Sequence, residues 1–171
     1  MPRKKNYKEC LVSPLKSTIR NFNSIVNFYM YYAPNINSAQ SRGRIENQEA
    51  SRVLKKMLSK TNMDKTTRFL KIIQPQSWVK ANLESDVIDF ESLRILCNKM
   101  KNETELTALL RHIRNAFAHG YIYVWKKKRG TYVILVDFDR QKNKRTAMIL
   151  VTYNILEQWK AILENEMPTG E

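Results

Sequence analysis

The chain holds two histidines, His112 and His119, and they stand close together, with Arg111, Arg114 and Asn115 between and beside them. Imidazole exchanges protons near neutrality, a guanidinium fork suits phosphate oxygens, and a carboxamide both gives and takes hydrogen bonds. Side chains of these types in one place suit acid–base chemistry on a phosphate diester. Each has a plainer explanation when taken singly. His119 precedes Gly120 and can cap a helix, Asn115 can be solvated, and Arg111 and Arg114 can be surface charges. Placing both histidines of the chain in this one segment favours chemistry over those explanations.

The element that must position them is a helix. At about 100° per residue, Leu106, Leu109, Leu110, Ile113, Ala116 and Phe117 share one arc of a helix that starts near Asn102, with Glu105 in capping-box spacing. The opposite arc carries Arg111, His112, Arg114, Asn115 and His119, with Ala108 and Ala118 leaving room for another surface. His112, Asn115 and His119 then form a nearly straight line along that side. In sequence, no carboxylate cluster stands beside this line to hold Mg²⁺.

The string Leu110-Arg111-His112-Ile113-Arg114-Asn115-Ala116-Phe117-Ala118-His119-Gly120 resembles the signature of the HEPN superfamily, Arg-x4–6-His with a polar residue commonly after the arginine. Arg114 matches the arginine, Asn115 the polar position and His119 the histidine. The resemblance covers most of residues 11–165, with the N-terminal half matching in helix pattern alone. It implies a metal-independent endoribonuclease without cofactor, acting as a homodimer whose two motifs face each other across a composite active site.

On that resemblance, His119 serves the ribose 2′-OH or the leaving 5′-oxygen. Arg114 holds the scissile phosphate, and Asn115 orients the phosphate or His119. The products are a 2′,3′-cyclic phosphate and a 5′-OH end, and DNA is inert. Compact nucleases of this kind resemble toxins or abortive-infection effectors of prokaryotic defence, which implies an antitoxin, protein or small RNA, as a partner. The alternative is a non-catalytic HEPN-like RNA-binding or scaffold module.

Composition agrees with an RNA partner. Lys and Arg number 30 against 16 Asp and Glu, a formal net charge of +14, far beyond what solubility requires. The basic residues are spread along the chain rather than gathered beside one long apolar segment, which favours nucleic acid over a membrane surface. No stretch approaches the roughly 18 apolar residues of a membrane span, and Met1-Pro2-Arg3-Lys4-Lys5 is not followed by a signal-peptide pattern. Cys10 and Cys97 stand alone, suggesting neither a disulfide framework nor a zinc site. A soluble cytoplasmic protein with no membrane partner is the expectation.

With 171 residues, 43% of them hydrophobic, the chain reads as one domain at 11–165, preceded by a basic arm at 1–10 and followed by a tail at 166–171. The expected fold is mainly α. It is a HEPN-like helical bundle with a small antiparallel β-sheet, about three strands, inserted between the motif helix and the C-terminal helix.

A first helix runs from Ser13-Pro14 to before Pro34, with Ile19, Phe22, Ile25 or Val26, and Tyr29 at helical spacing, and a loop follows at 35–43. Val53, Leu54, Met57 and Leu58 mark a second helix, Phe69, Leu70 and Ile73 a shorter one halted by Pro75, and Leu93, Leu96, Cys97 and Met100 another, with Cys97 a small buried hydrophobe.

Tyr121–Trp125, Tyr132–Val136 and Ala147–Val151 read as strands, and Thr152 caps a last helix that buries Leu156, Trp159, Ile162 and Leu163. The turns between the strands are basic. Lys126, Lys127, Lys128 and Arg129 in one, and Lys142, Lys144 and Arg145 in the other, are candidate RNA contacts, as are Arg111 and His112. Tyr121, Tyr123, Trp125 and Tyr132 either stack on bases or face the core, burial being the commoner outcome for any one of them.

Overall fold

A computed structural model describes residues 5–6, 21–32, 47–71, 83–89, 92–128, 130–139, 141 and 144–166. In chain order these form β1 (Lys5–Asn6), α1 (Phe22–Asn27, continued by a π-helical turn at Phe28–Tyr32), α2 (Asn47–Lys60), a 3-10 turn (Asp64–Thr66), β2 (Thr67–Lys71), β3 (Val87–Ile88), β4 (Arg94–Lys99), α3 (Glu105–His119), β5 (Ile122–Lys127), β6 (Gly130–Asp139), β7 (Lys144–Thr152) and α4 (Tyr153–Glu166). The expected helix start at Ser13-Pro14, the loop at 35–43 and the stop at Pro75 lie outside the described residues.

The fold is α/β, not mainly α. Five strands form one mixed sheet in the order β2-β4-β7-β6-β5, with β2 and β4 parallel and the other neighbours antiparallel. The three strands expected after the motif helix are there as β5, β6 and β7. The miss lies before it, where Phe69-Leu70 and Leu93–Met100 were expected to be helical and are instead the strands β2 and β4.

The physical reason is that β4 is covered on both faces, Ile95 and Cys97 by the main core and Leu96 by a second cluster with Leu83, so three consecutive residues are buried. A strand covered on both faces loses its alternation and reads like a piece of buried helix. Cys97 is buried as expected, but on a strand. A separate two-stranded pairing joins β1 to β3, Lys5 opposite Ile88 and Asn6 opposite Val87.

Alternation divides the large sheet into two faces. Ile95, Cys97, Ile122, Val124, Val133, Leu135, Ala147, Ile149 and Val151 join the helices in the main core. Leu96, Ile134, Val136, Met148 and Leu150 form a second cluster with Leu83, bordered by the half-buried Tyr121, Tyr123, Trp125, Tyr132 and Phe138. These five aromatics therefore lie on the side away from the helices, whereas Phe69 of β2 packs against the main core.

α3 packs against β6 on one side and against α2 and the Phe28–Tyr32 turn on the other. Leu106, Thr107, Ala108, Leu109, Leu110, His112 and Ile113 are all buried in consequence. α4 closes the helical layer: Trp159 is fully buried and its indole N–H reaches the Met57 carbonyl and Thr61 Oγ1, both at 3.2 Å. Tyr29 donates its hydroxyl to the Leu156 carbonyl at 3.0 Å and stacks on Phe117. As expected, Thr152 caps α4, its Oγ1 accepting from the Ile155 N–H at 3.4 Å. Among the described residues no helix is long and apolar enough to cross a membrane.

Trp159 joins α4 to α2 by both area and hydrogen bonds. Trp159→Ala should lower unfolding free energy by about 3–5 kcal/mol, measured as a fall in the urea midpoint.

Candidate active site

Both ends of α3 are fixed locally. Its N-cap is Thr104, whose Oγ1 accepts from the Thr107 N–H at 3.1 Å, so the helix starts two residues later than the Asn102 capping box placed it. Glu103 is thereby left outside the helix, free to accept from the Met100 N–H at 3.0 Å and to reach back to Arg111. At the other end Gly120 adopts φ +70°, and the Tyr121 N–H returns to the Ala116 carbonyl at 3.0 Å. This Schellman-type stop needs the left-handed conformation that glycine takes without strain. It leaves Ala118 and His119 exposed on the last turn, with Arg114 and Asn115 half-buried beneath them.

The inner part of the expected polar arc does not face solvent. His112 is 1% exposed and sits against the sheet, its Nδ1 2.7 Å from Asp137 Oδ2 and its Nε2 2.7 Å from the Asn98 carbonyl oxygen. Both partners are acceptors, so each ring nitrogen lies where a donor satisfies the contact. Arg111 Nη2 also approaches Nε2, at 3.2 Å, but the Asn98 carbonyl is the nearer group.

Arg111 is committed elsewhere. Its Nε and Nη2 grip Glu103 at 2.6 and 2.9 Å, and Nη2 donates to the Asn98 carbonyl at 3.2 Å. Asp137 then ties the motif to β6. Besides His112 it takes the Asn115 Nδ2 donor at 3.1 Å on the same oxygen, and the Phe138 N–H at 2.9 Å on the other.

Burial raises the Asp137 carboxyl, yet the hydrogen bond and charge of His112, with the donors from Asn115 and Phe138, outweigh it and hold the group below the usual carboxylate range. Burial likewise raises Glu103, and the Arg111 and Met100 hydrogen bonds, with the charges of Arg111 and His112, bring it below its ordinary value. Burial drives the Cys97 thiol far up, which suits packing rather than nucleophilic attack.

His119 leads outward onto the other side of the sheet. Its ring meets Tyr121 edge-on at 6.4 Å, Tyr121 meets Phe138 at 4.9 Å, and the Arg145 guanidinium lies 5.6 Å from the Phe138 ring. Arg145 is itself anchored, donating to the carbonyls of Leu83 and Ser85 at 2.6 and 3.1 Å and pairing with Asp86 at 2.6 Å. Lys144, at the start of β7 on this end of the sheet, is exposed.

Lys126, Lys127 and Lys128 lie at the opposite end, because β5 leaves the motif at Ile122 and ends at Lys127, about 17 Å along the strand. There Lys126 and Lys128 are exposed, and the Lys127 ammonium sits 4.6 Å from the Trp125 ring centroid and 5.8 Å from that of Tyr132. Arg114, Asn115 and His119 share about the last turn and a half of α3, at a distance from the β5–β6 turn. Arg129 and Lys142 lie outside the described residues.

Two carboxylates beside the motif helix escaped the sequence reading. In sequence, Glu105 rather than Glu103 marks the helix start, and the strand expected at Tyr132–Val136 stops one residue short of Asp137. The signal for Asp137 was alternation: Val133, Leu135 and Asp137 are three steps of one inward row, and a carboxylate on such a row needs donors. Among the described residues no group of three or more His, Cys, Asp or Glu is placed to hold a metal ion.

A family model described as HEPN pEK499 p136 matches residues 6–167, nearly the whole chain. No curated protein and no solved structure matches it.

The two carboxylates make stability depend on acid. Their folded pKa values lie below the unfolded ones, so the stability they contribute is present above the ordinary carboxylate range, near 4, and is lost as pH falls through the lowered folded values. Urea midpoints should therefore drop between about pH 5 and about pH 3. Asp137→Ala should flatten that acid limb and remove about 3 kcal/mol or more at pH 7, since it strips a buried histidine of its counter-charge.

Proposed function

The chain belongs to the HEPN pEK499 p136 family, and we propose that it is an endoribonuclease whose active residues are Arg114, Asn115 and His119. The observation that carries this reading is the sorting of the two histidines. His112 is buried and engaged on both nitrogens, whereas His119 is exposed at the tip of α3, within about one and a half turns of Arg114 and Asn115. A protonatable ring at the surface, on a helix end that also carries a guanidinium, supports phosphodiester transfer.

In the proposed reaction the ribose 2′-oxygen attacks phosphorus and the bond to the 5′-oxygen breaks, giving a 2′,3′-cyclic phosphate and a 5′-OH end. One proton leaves the 2′-oxygen and one arrives on the 5′-oxygen. Arg114 sits against the phosphate oxygens where charge builds up, and His119 moves the proton. Two proton transfers call for two groups, and with His112 buried each chain offers a single histidine to substrate. A homodimer with two facing His119 side chains supplies both. On this reading the protein works in the cytoplasm without a metal or cofactor, as a toxin or abortive-infection effector restrained by an antitoxin, protein or small RNA.

Wild-type protein incubated with total RNA in EDTA should yield fragments ending in 2′,3′-cyclic phosphate and leave DNA intact. His119→Ala should cut about 10²- to 10⁴-fold more slowly. Absence of cleavage by both proteins would sink the nuclease reading in favour of an RNA-binding module, and full activity from a species that light scattering shows to be monomeric would remove the composite site. In cells, induction of the wild type should arrest growth, and induction of Arg114→Ala should not.

A further inference from the structure

Asp137 decides which way the Asn115 carboxamide faces. An ionised carboxylate only accepts, so the group that Asn115 turns to Asp137 Oδ2, at 3.1 Å, has to be its Nδ2. The same oxygen takes the His112 Nδ1 donor at 2.7 Å, and the other takes the Phe138 N–H at 2.9 Å, so the carboxylate itself has no room to rotate. The carbonyl end of Asn115 therefore points away from β6. Oδ1 takes no hydrogen bond from any described residue and is not among the buried polar atoms left without a partner, so it reaches solvent, on a residue about one turn before His119.

An outward carbonyl oxygen is the wrong partner for phosphate and the right one for a donor. On single-stranded nucleic acid the donors are base N–H groups and, in RNA alone, the ribose 2′-hydroxyl. We propose that Asp137 is a positioning residue that locks Asn115 as an acceptor, and that Asn115 Oδ1 takes the hydrogen bond of a ribose 2′-OH on the strand lying over the end of α3. This rests on the nuclease reading for the placement of RNA at that site. It adds to it a means by which the site distinguishes ribose from deoxyribose before any bond is broken.

Binding separates this proposal from catalysis. In the His119→Ala background, fluorescence anisotropy would compare one single-stranded 12-mer RNA with its 2′-fluoro counterpart, which keeps bases, phosphates and sugar pucker but has no hydroxyl to donate. The RNA should bind more tightly, by about 2- to 10-fold, and Asn115→Leu should bring the ratio to about one.

Asp137→Asn should also shrink the ratio although Asn115 is untouched, since an amide at 137 gives as well as takes and no longer holds its neighbour one way. A general loosening of the fold would weaken both ligands alike and leave the ratio standing. An unchanged ratio in Asn115→Leu, or equal affinity for the two ligands in the starting protein, overturns the proposal, and the second result also covers recognition through a base N–H. Should the ratio behave as expected while wild-type protein cleaves no RNA, the nuclease reading fails and the ribose contact stands.

Discussion

A carboxylate on the core-facing side of a strand has to be met by donors or it unfolds what surrounds it. Asp137 occupies that position on β6, and α3 is the element that meets it, with His112 and Asn115. The contacts are made about two turns and one turn before the exposed His119, so the segment carrying Arg114, Asn115 and His119 is pinned to the sheet through its own polar side chains. Apolar packing of Leu106, Leu109, Leu110 and Ile113 sets how deep the helix lies. It does not by itself set rotation or translation along the axis to hydrogen-bond tolerance, since dispersion contacts are non-directional. The His112–Asp137–Asn115 link does. Arg111 and Glu103 reinforce it from the start of the helix, meeting the same network at the Asn98 carbonyl.

This arrangement explains why the helix that carries Arg114, Asn115 and His119 was legible and its setting was not. Arg114, Asn115 and His119 are given by spacing within one helix, and helical periodicity is a local property that survives without tertiary knowledge. β5, β6 and β7 were legible for a similar reason, being runs of β-branched and aromatic residues separated by basic turns. β4 was not, because a strand buried on both faces has no alternation to betray it, and Ile95-Leu96-Cys97 carries the same information as a turn of core helix; in the edge strand β2 the apolar signal is only Phe69-Leu70, too short to tell strand from helix. The roles of His112 and Arg111 failed to show for another reason. Their partners lie 25 and 8 residues away, and no rule of spacing on one helix reports what a distant strand or turn will offer.

The large positive charge is also divided by the fold into parts with different uses. Arg111 and Arg145 are tied down by Glu103, Asp86 and main-chain carbonyls, so their charge is spent on structure. Lys126, Lys128 and Lys144 are exposed at the two ends of the β5–β7 meander, with the His119 end and the Lys126–Lys128 end separated by the length of β5. Charges spread in this way over a face raise the local concentration of a polyanion without fixing its register. Register has to come from groups whose geometry is fixed, and the best-fixed polar group at the helix end is Asn115.

From that division follows a consequence for how the site is completed. The first half of α3 is covered by β6 on one side and by α2 and the Phe28–Tyr32 turn on the other, while Arg114 and Asn115 are half-buried. Approach is open at Ala118, His119 and Gly120, where the helix stops under the Gly120 left-handed turn. A second chain bringing another His119 to the first would meet it tip to tip rather than flank to flank. RNA would then lie across the ends of two helices, where the contact area is small and each ordered side chain matters more. On the proposed reading, the buried His112–Asp137 contact is what keeps that helix end from drifting.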